Sequence, residues 1–182
     1  GHGSRPHSTI DPIVMAAATV MRLQTVVSRE IDPREMAVVT VGSIHAGLKN
    51  NIIPAEAKLE LSLRYPNEKA REDVMARVER IVHAEAAASG AEETPTISVD
   101  HTLPPTINDV DATARLTAAW DNAFGAGTVV DPGMFTGSED VSWFARDSGA
   151  PLVFWCWGGL DPQTYADAVA AEFTRQAARQ SH

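Results

Sequence analysis

Apolar residues recur at helical spacing from Asp11 onward: Ile13, Ala16, Ala17, Val20, Leu23 and Val27 fall three or four positions apart or adjacent. That spacing draws one stripe along a helix. Asp11-Pro12 opens it, because Asp accepts from free first-turn amides and Pro fills a position whose N–H would be unpaired. Asp32-Pro33 breaks the pattern. Met36 to His45 is rich in Val and Ile and reads as a strand; Gly47 to Asn51 reads as a turn. From Ala55 to Tyr65 the period is two: Ala55, Ala57, Leu59, Leu61 and Leu63 share one face, and Glu56, Lys58, Glu60, Ser62 and Arg64 share the other. This predicts a strand with one dry and one wet face, joined through a loop with Pro54 into an antiparallel pair. Glu68 to Ser89 returns to helical spacing, with Val74, Val78, Ile81 and Val82 inward and Gly90 as the stop. Thr96 to His101 reads as a third strand. The order helix–strand–strand–helix–strand is a ferredoxin-like β-α-β-β-α-β unit without its first strand, so the expected fold class is α+β.

Leu103-Pro104-Pro105-Thr106 is a stiff linker and the expected boundary between residues 1–102 and 103–182. Beyond it, Asp111 to Phe124 is an amphipathic helix ended by Gly125, and Thr128 to Asp131 a short strand. Ser138 to Asp147 is a helix with Ser138 as its cap, ended by Gly149-Ala150-Pro151. Leu152 to Trp157 is apolar almost throughout, the pattern of a strand buried on both faces. Asp161-Pro162 begins a last helix. Helix and strand alternate here as in part of a parallel α/β layer, but two strands are too few to complete one.

The charge balance narrows the partners. The chain of 182 residues carries 15 Lys+Arg against 24 Asp+Glu, a net charge of −9. An acidic protein is not drawn to nucleic acid or to an anionic membrane surface, so neither is expected as a partner. No apolar run reaches membrane-spanning length, and no signal peptide is evident, so a cytoplasmic location is expected. A single cysteine, Cys156, excludes an intrachain disulfide framework. The start, Gly1-His2-Gly3-Ser4-Arg5-Pro6-His7, reads either as appended residues or as the interior of a longer chain.

Few residues carry candidate chemistry. His2 and His7 suit a solvated loop as well as a metal site, and no carboxylate–His cluster follows at ligand spacing. Asn50-Asn51 suits a turn, but one Asn suffices for that. Two amides at a strand mouth can also hold a carbonyl or carboxylate as an oxyanion donor does. Arg64 is either a sheet-surface residue or a fork for a substrate carboxylate. Gly137-Ser138-Glu139-Asp140 is either a capped helix start or a seat for a ligand carboxylate. Trp155 and Trp157 read as core, and Cys156 has no His nearby to make it a nucleophile.

Four stretches together resemble one family. They are residues 1–27, then Val-Gly-Ser-Ile-His-Ala-Gly-Leu-Lys-Asn-Asn-Ile-Ile-Pro (41–54), Pro-Pro-Thr-Ile-Asn-Asp (104–109) and Thr-Gly-Ser-Glu-Asp-Val (136–141). In order and spacing they are similar to the dinuclear-metal amidohydrolases and peptidases that include aminoacylase, hippurate hydrolase, indole-acetyl-amino-acid hydrolase and succinyl-diaminopimelate desuccinylase. The hippurate hydrolase-like branch is the nearest in pattern.

The resemblance implies a lid, or dimerisation, domain followed by part of an α/β/α catalytic layer. It implies a homodimer formed through the lid, two divalent metal ions (zinc or similar) in the complete enzyme, and hydrolysis of the amide of an N-acyl amino acid or small peptide. By match to the family motifs, Asn50 would reach the scissile carbonyl across the dimer. His7, Asn51, Arg64, Gly137 and Ser138 would face substrate. The early metal-binding segments and the catalytic Glu have no counterpart here, and His182 lacks the context of the family's late ligand. No metal is therefore expected on this chain alone, which by itself is expected to be inactive. A free-standing, non-catalytic dimerisation or binding module of lid type is the competing reading.

Overall fold

The computed structural model describes residues 1–135, 137 and 139–180, and of Pro162 and residues 173–180 only the backbone. The described chain forms two compact units. The first joins Gly1–Thr106 to Val130–Ala150; the second joins Ile107–Val129 to the chain from Pro151 onward.

In the first unit, α1 spans Pro12–Thr25, with the Asp11 carboxylate accepting from Ile13 N at 2.9 Å and Val14 N at 3.4 Å. The helix continues as a π turn over Val26–Glu30. Its buried residues are Ala16, Thr19, Leu23 and Val26, whereas Ile13, Ala17 and Val27 of the expected stripe are exposed. The Thr19 hydroxyl donates to Met15 O at 2.9 Å, so its polar atom is satisfied within the helix and its methyl is free to pack. The wider π turn carries Val26 into the core.

Strands β1 (Val38–Ala46) and β2 (Ala57–Arg64) pair antiparallel. A bulge between Val41 and Ser43 shifts the register, so Val39 and Val41 lie opposite Leu63 and Leu61, and beyond the bulge Ile44 lies opposite Leu59. The bulge keeps apolar residues on one face although the period-two sequence of β1 slips at Gly42.

Helix α2 (Glu68–Ala88) is capped by Asn67, whose side chain accepts from Ala70 N. It stops at Gly90, where φ is +75°, with Gly90 N donating to Ala87 O and Ala91 N to Ala86 O. This paired closure needs a left-handed residue, and glycine pays least for it. Leu23 and Val26 meet Val74, Val78 and Ile81 in the core, with Val39, Val41, Leu61 and Leu63 packed against them from the sheet. Arg80 donates to both oxygens of Glu30 at 2.8 and 2.7 Å, and Arg22 reaches Glu85 at 3.3 Å, tying the two helices at the rim.

Thr96–His101 forms no strand. The Asp100 charge does reach Lys58 on β2. In a β-α-β-β-α-β unit the last strand pairs with the first, and the described residues include no such partner. Helix α4 (Val141–Ser148) starts later than expected, at Asp140, which makes no side-chain cap bond; Ser138 lies outside the described residues. Gly149 ends α4 at φ +68°.

In the second unit, α3 (Val110–Phe124) is capped by Asp109 and ended by Gly125, and α5 spans Pro162–Gln180 behind Asp161. Neither Thr128–Asp131 nor Leu152–Trp157 is a strand. Trp155, Cys156 and Trp157 are exposed rather than buried, because no described strand lies beside this apolar run to cover it. One anchor replaces the ladder. Asn108 accepts from Phe154 N at 2.7 Å and donates to Phe154 O at 2.9 Å, and Asp109 N donates to Leu152 O at 2.7 Å. Trp120 and Trp155 meet edge-on, their centroids 4.8 Å apart.

Candidate functional site

The turn between β1 and β2 holds Asn50 and Asn51. Gly47 takes φ +69° and lets the chain leave β1; Ile52 N then donates to Lys49 O at 3.3 Å, closing a turn with Asn50 and Asn51 at its centre. No residue other than glycine has a positive φ among those described, so neither Asn is needed for a left-handed conformation. Neither Asn side chain bonds back to the turn, and both are exposed. The ordinary reasons for Asn in a turn are absent, and the two amides have no partner among the described residues.

The first residues of the chain lie along this turn. Gly3 N donates to Asn51 O at 2.8 Å, Ile53 N to Gly1 O at 2.8 Å, and His2 bridges to Ile52. The Ser4 backbone N–H donates to His2 Nδ1 at 3.2 Å, with Ser4 Oγ 2.8 Å from the same atom. A backbone N–H can only donate, so this network assigns Nδ1 as acceptor and leaves the proton of the neutral ring on Nε2, which has no partner among the described residues. The fold thus seats the backbone of His2 along the turn, paired with Ile52. Sequence reasoning treated His2 as part of a loop, because the pairing spans some fifty positions and leaves no periodic trace. The available signal was a His flanked by glycines with a Ser two residues on, a pattern that fixes one ring nitrogen.

The other candidates lie apart from the turn or carry no bond to it. His7 is exposed in a short 3₁₀ turn, Pro6–Ser8. Arg64 is half-buried at the end of β2, opposite Val38, while the turn joins the other end of the hairpin at Ala46 and Ala57. The Phe135 ring lies against Gly137, and a Cβ there would collide with it. Ser138 and His182 are outside the described residues. Among the described residues no three His, Cys, Asp or Glu side chains converge as metal ligands would, so the metal pair implied by the resemblance has no fitting donor set here. No described helix is long and apolar enough to cross a membrane.

On the outer face of the hairpin, Ser43 Oγ donates to Glu60 at 2.6 Å and Lys58 donates to Glu60 at 2.6 Å. The Lys58 bond, then the Ser43 bond, lower the Glu60 pKa, and the Glu60 carboxylate raises that of Lys58.

An α+β unit whose two-stranded sheet keeps open edges defines the class of domain. Residues 1–89 match the family model described as the peptidase dimerisation domain. The chain is similar to thermostable carboxypeptidase 1 of Saccharolobus solfataricus, 30% identical over 85% of this chain and 38% of that one. It is also similar to an N-acyl-L-amino acid amidohydrolase of Geobacillus stearothermophilus, 41% identical over 50% of this chain and 25% of that one. A solved structure, a putative aminohydrolase from methicillin-resistant Staphylococcus aureus, superimposes with a TM-score of 0.68 at 28% identity, covering 81% of this chain and 37% of that one. The family resemblance read from the four motifs is borne out, as is the α+β class. The chain spans about two fifths of the length of the curated relatives it matches over most of its length.

Proposed function

We propose that this chain is the dimerisation and substrate-covering part of a hydrolase that cleaves the amide bond of N-acyl amino acids or small peptides. The reading rests on the family match of residues 1–89 together with one observation: the Asn50 and Asn51 amides lie exposed on one turn with no partner among the described residues. Residues 103–182 belong, in this reading, to the catalytic layer.

The turn supplies donors. Preformed N–H groups aimed at an amide carbonyl stabilise the oxyanion that develops as it is attacked, at little reorganisation cost. Asn50 is the donor assigned to that oxygen. Asn51, His7, Gly137 and Ser138 are assigned to the rest of the substrate; Arg64, at the far end of the hairpin, is assigned to the carboxylate of a substrate whose carbonyl meets Asn50 of the second copy. Divalent metal ions belong, in this reading, to the complete enzyme.

A second copy of the chain is the proposed partner, docked along the open edge of β1. That strand, Val38–Ala46, contains no Asp, Glu, Lys or Arg, whereas β2 carries Lys58, Glu60 and Arg64. Charges protect an edge from pairing, and β1 has none. One face of α1 also leaves Val14, Ala17 and Met21 exposed.

The test uses the full-length protein. Asn50→Ala is expected to lower kcat by roughly 10²–10³-fold with a smaller change in KM, as for loss of an oxyanion donor. Arg64→Ala is expected to raise KM. Unchanged kinetics in both variants would return these residues to structural roles. The 182-residue chain alone is expected to retain less than one zinc ion per chain after mild chelation; one or two retained ions would mean that residues here assigned to structure build a metal site.

A further inference from the structure

Strand β1 meets β2 along one side, and among the described residues its other side meets no strand. Residues directly opposite in an antiparallel pair point to the same face. Ala57, Leu59, Leu61 and Leu63 share the core face of β2, so the register puts Val39, Val41, Ile44 and Ala46 on the core face of β1. Thr40 and His45 lie opposite Ser62 and Lys58 on the outer face, as Ser43 lies opposite Glu60. Gly42 is the extra residue of the bulge and shares Glu60 with Ser43; a Cβ on it would lie 3.7 Å from Glu60 O. From Val39 to Ala46 the faces therefore run core, outer, core, the outer pair Gly42-Ser43, core, outer, core. The order is the same in both directions.

That symmetry matters for pairing with a copy. A two-fold axis perpendicular to the sheet keeps each residue on its face and sets it opposite the residue equally far from the axis. A strand of plain alternation can meet this condition only with one residue opposite itself. The bulge allows an axis between Gly42 and Ser43, where every residue from Val39 to Ala46 meets one of its own face.

We infer that the bulge at Gly42 makes the open edge of β1 self-complementary, and that two copies pair there with Thr40 opposite His45, and Val41 opposite Ile44, of the second copy. The assignment rests on the reading above that β1 joins two copies. In this register Val39, Val41, Ile44 and Ala46 of both copies form one apolar seam, which covers Ile44, 49% exposed in the single chain. No like charges meet, since His45 of one copy stands beside Thr40 and, one strand further, Ser62 of the other. A shift of the pairing by one residue either way sets core residues against outer ones. A regularly alternating strand of another protein matches this edge on one side of the bulge only, so the edge favours a second copy over a foreign strand.

The experiment uses the full chain carrying Cys156→Ser. Thr40→Cys and His45→Cys, both at exposed outer-face positions, are made separately and oxidised alone and as a mixture. Opposite Cβ atoms lie roughly 4.5–5.5 Å apart, near disulfide reach, whereas the two copies of Thr40, or of His45, would stand roughly 17 Å apart. The mixture is expected to give a disulfide-linked dimer on a non-reducing gel, and neither variant alone. A mixture of Val38→Cys with His45→Cys, which pairing slid by two residues would join, is expected to stay unlinked. Linkage in that second mixture and not in the first, or in either variant of the first alone, overturns the inference. So does a lack of linkage in both mixtures while sedimentation shows a dimer, which would place the second copy on another surface. Monomer at every concentration in sedimentation overturns the reading that β1 joins two copies, and this inference with it.

Discussion

The two units use the same local signals and reach different ends. In the first, α1 and α2 bury Leu23, Val26, Val74, Val78 and Ile81 against a sheet. In the second, α3 buries no residue at all, and Trp157 is 79% exposed although its strand-like run is the most apolar in the chain. Both have Asp-capped helix starts and glycine stops. Caps and stops are written in a few neighbouring residues and form wherever those residues occur. A core needs a second face, and the described part of the second unit has helices without a sheet.

Large-to-small substitutions give the widest contrast. Ile81→Ala should destabilise the first unit by about 2–5 kcal/mol, whereas Leu116→Ala on half-buried α3 should cost less than half as much, both read by urea unfolding. Equal costs would mean that the second unit holds a core of its own. Caps should not discriminate. Asp11→Ala and Asp109→Ala should each cost about 1 kcal/mol of local helix stability, seen as faster amide exchange in the first turns of α1 and α3. In the second unit Asn108→Ala removes two hydrogen bonds to Phe154, and exchange at residues 152–157 should rise to that of an open loop.

What could be read from the sequence divides along the same line. The Asp11-Pro12 and Asp161-Pro162 starts, the Gly90 and Gly149 stops and the alternation of β2 were legible, since each is local. The bulge at Gly42 and the π turn after Thr25 were not, because each answers to packing across the core. Leu152–Trp157 misled for the same reason: an apolar run reports what a segment needs, not what lies beside it. Within the candidate site the turn at Asn50-Asn51 was legible, but the seat of His2 beside it was not.

The smallest expected effect is electrostatic. The Glu60 pKa is lowered in the folded hairpin, so its contribution to stability is present above the unfolded value and is lost as pH falls through the folded one. Thermal unfolding should show a small loss of stability below the ordinary carboxylate range. Salt should shrink it and Glu60→Gln abolish it, because the group is exposed and screened.

The central claim is that the uncharged edge of β1 joins two copies and so sets the turn beside a substrate. Amide hydrogen exchange of residues 38–46 against protein concentration tests it most directly. The account predicts that protection in β1 rises as the chain associates, while β2 and α2 are unchanged. Protection independent of concentration, or gained at β2 instead, would contradict it.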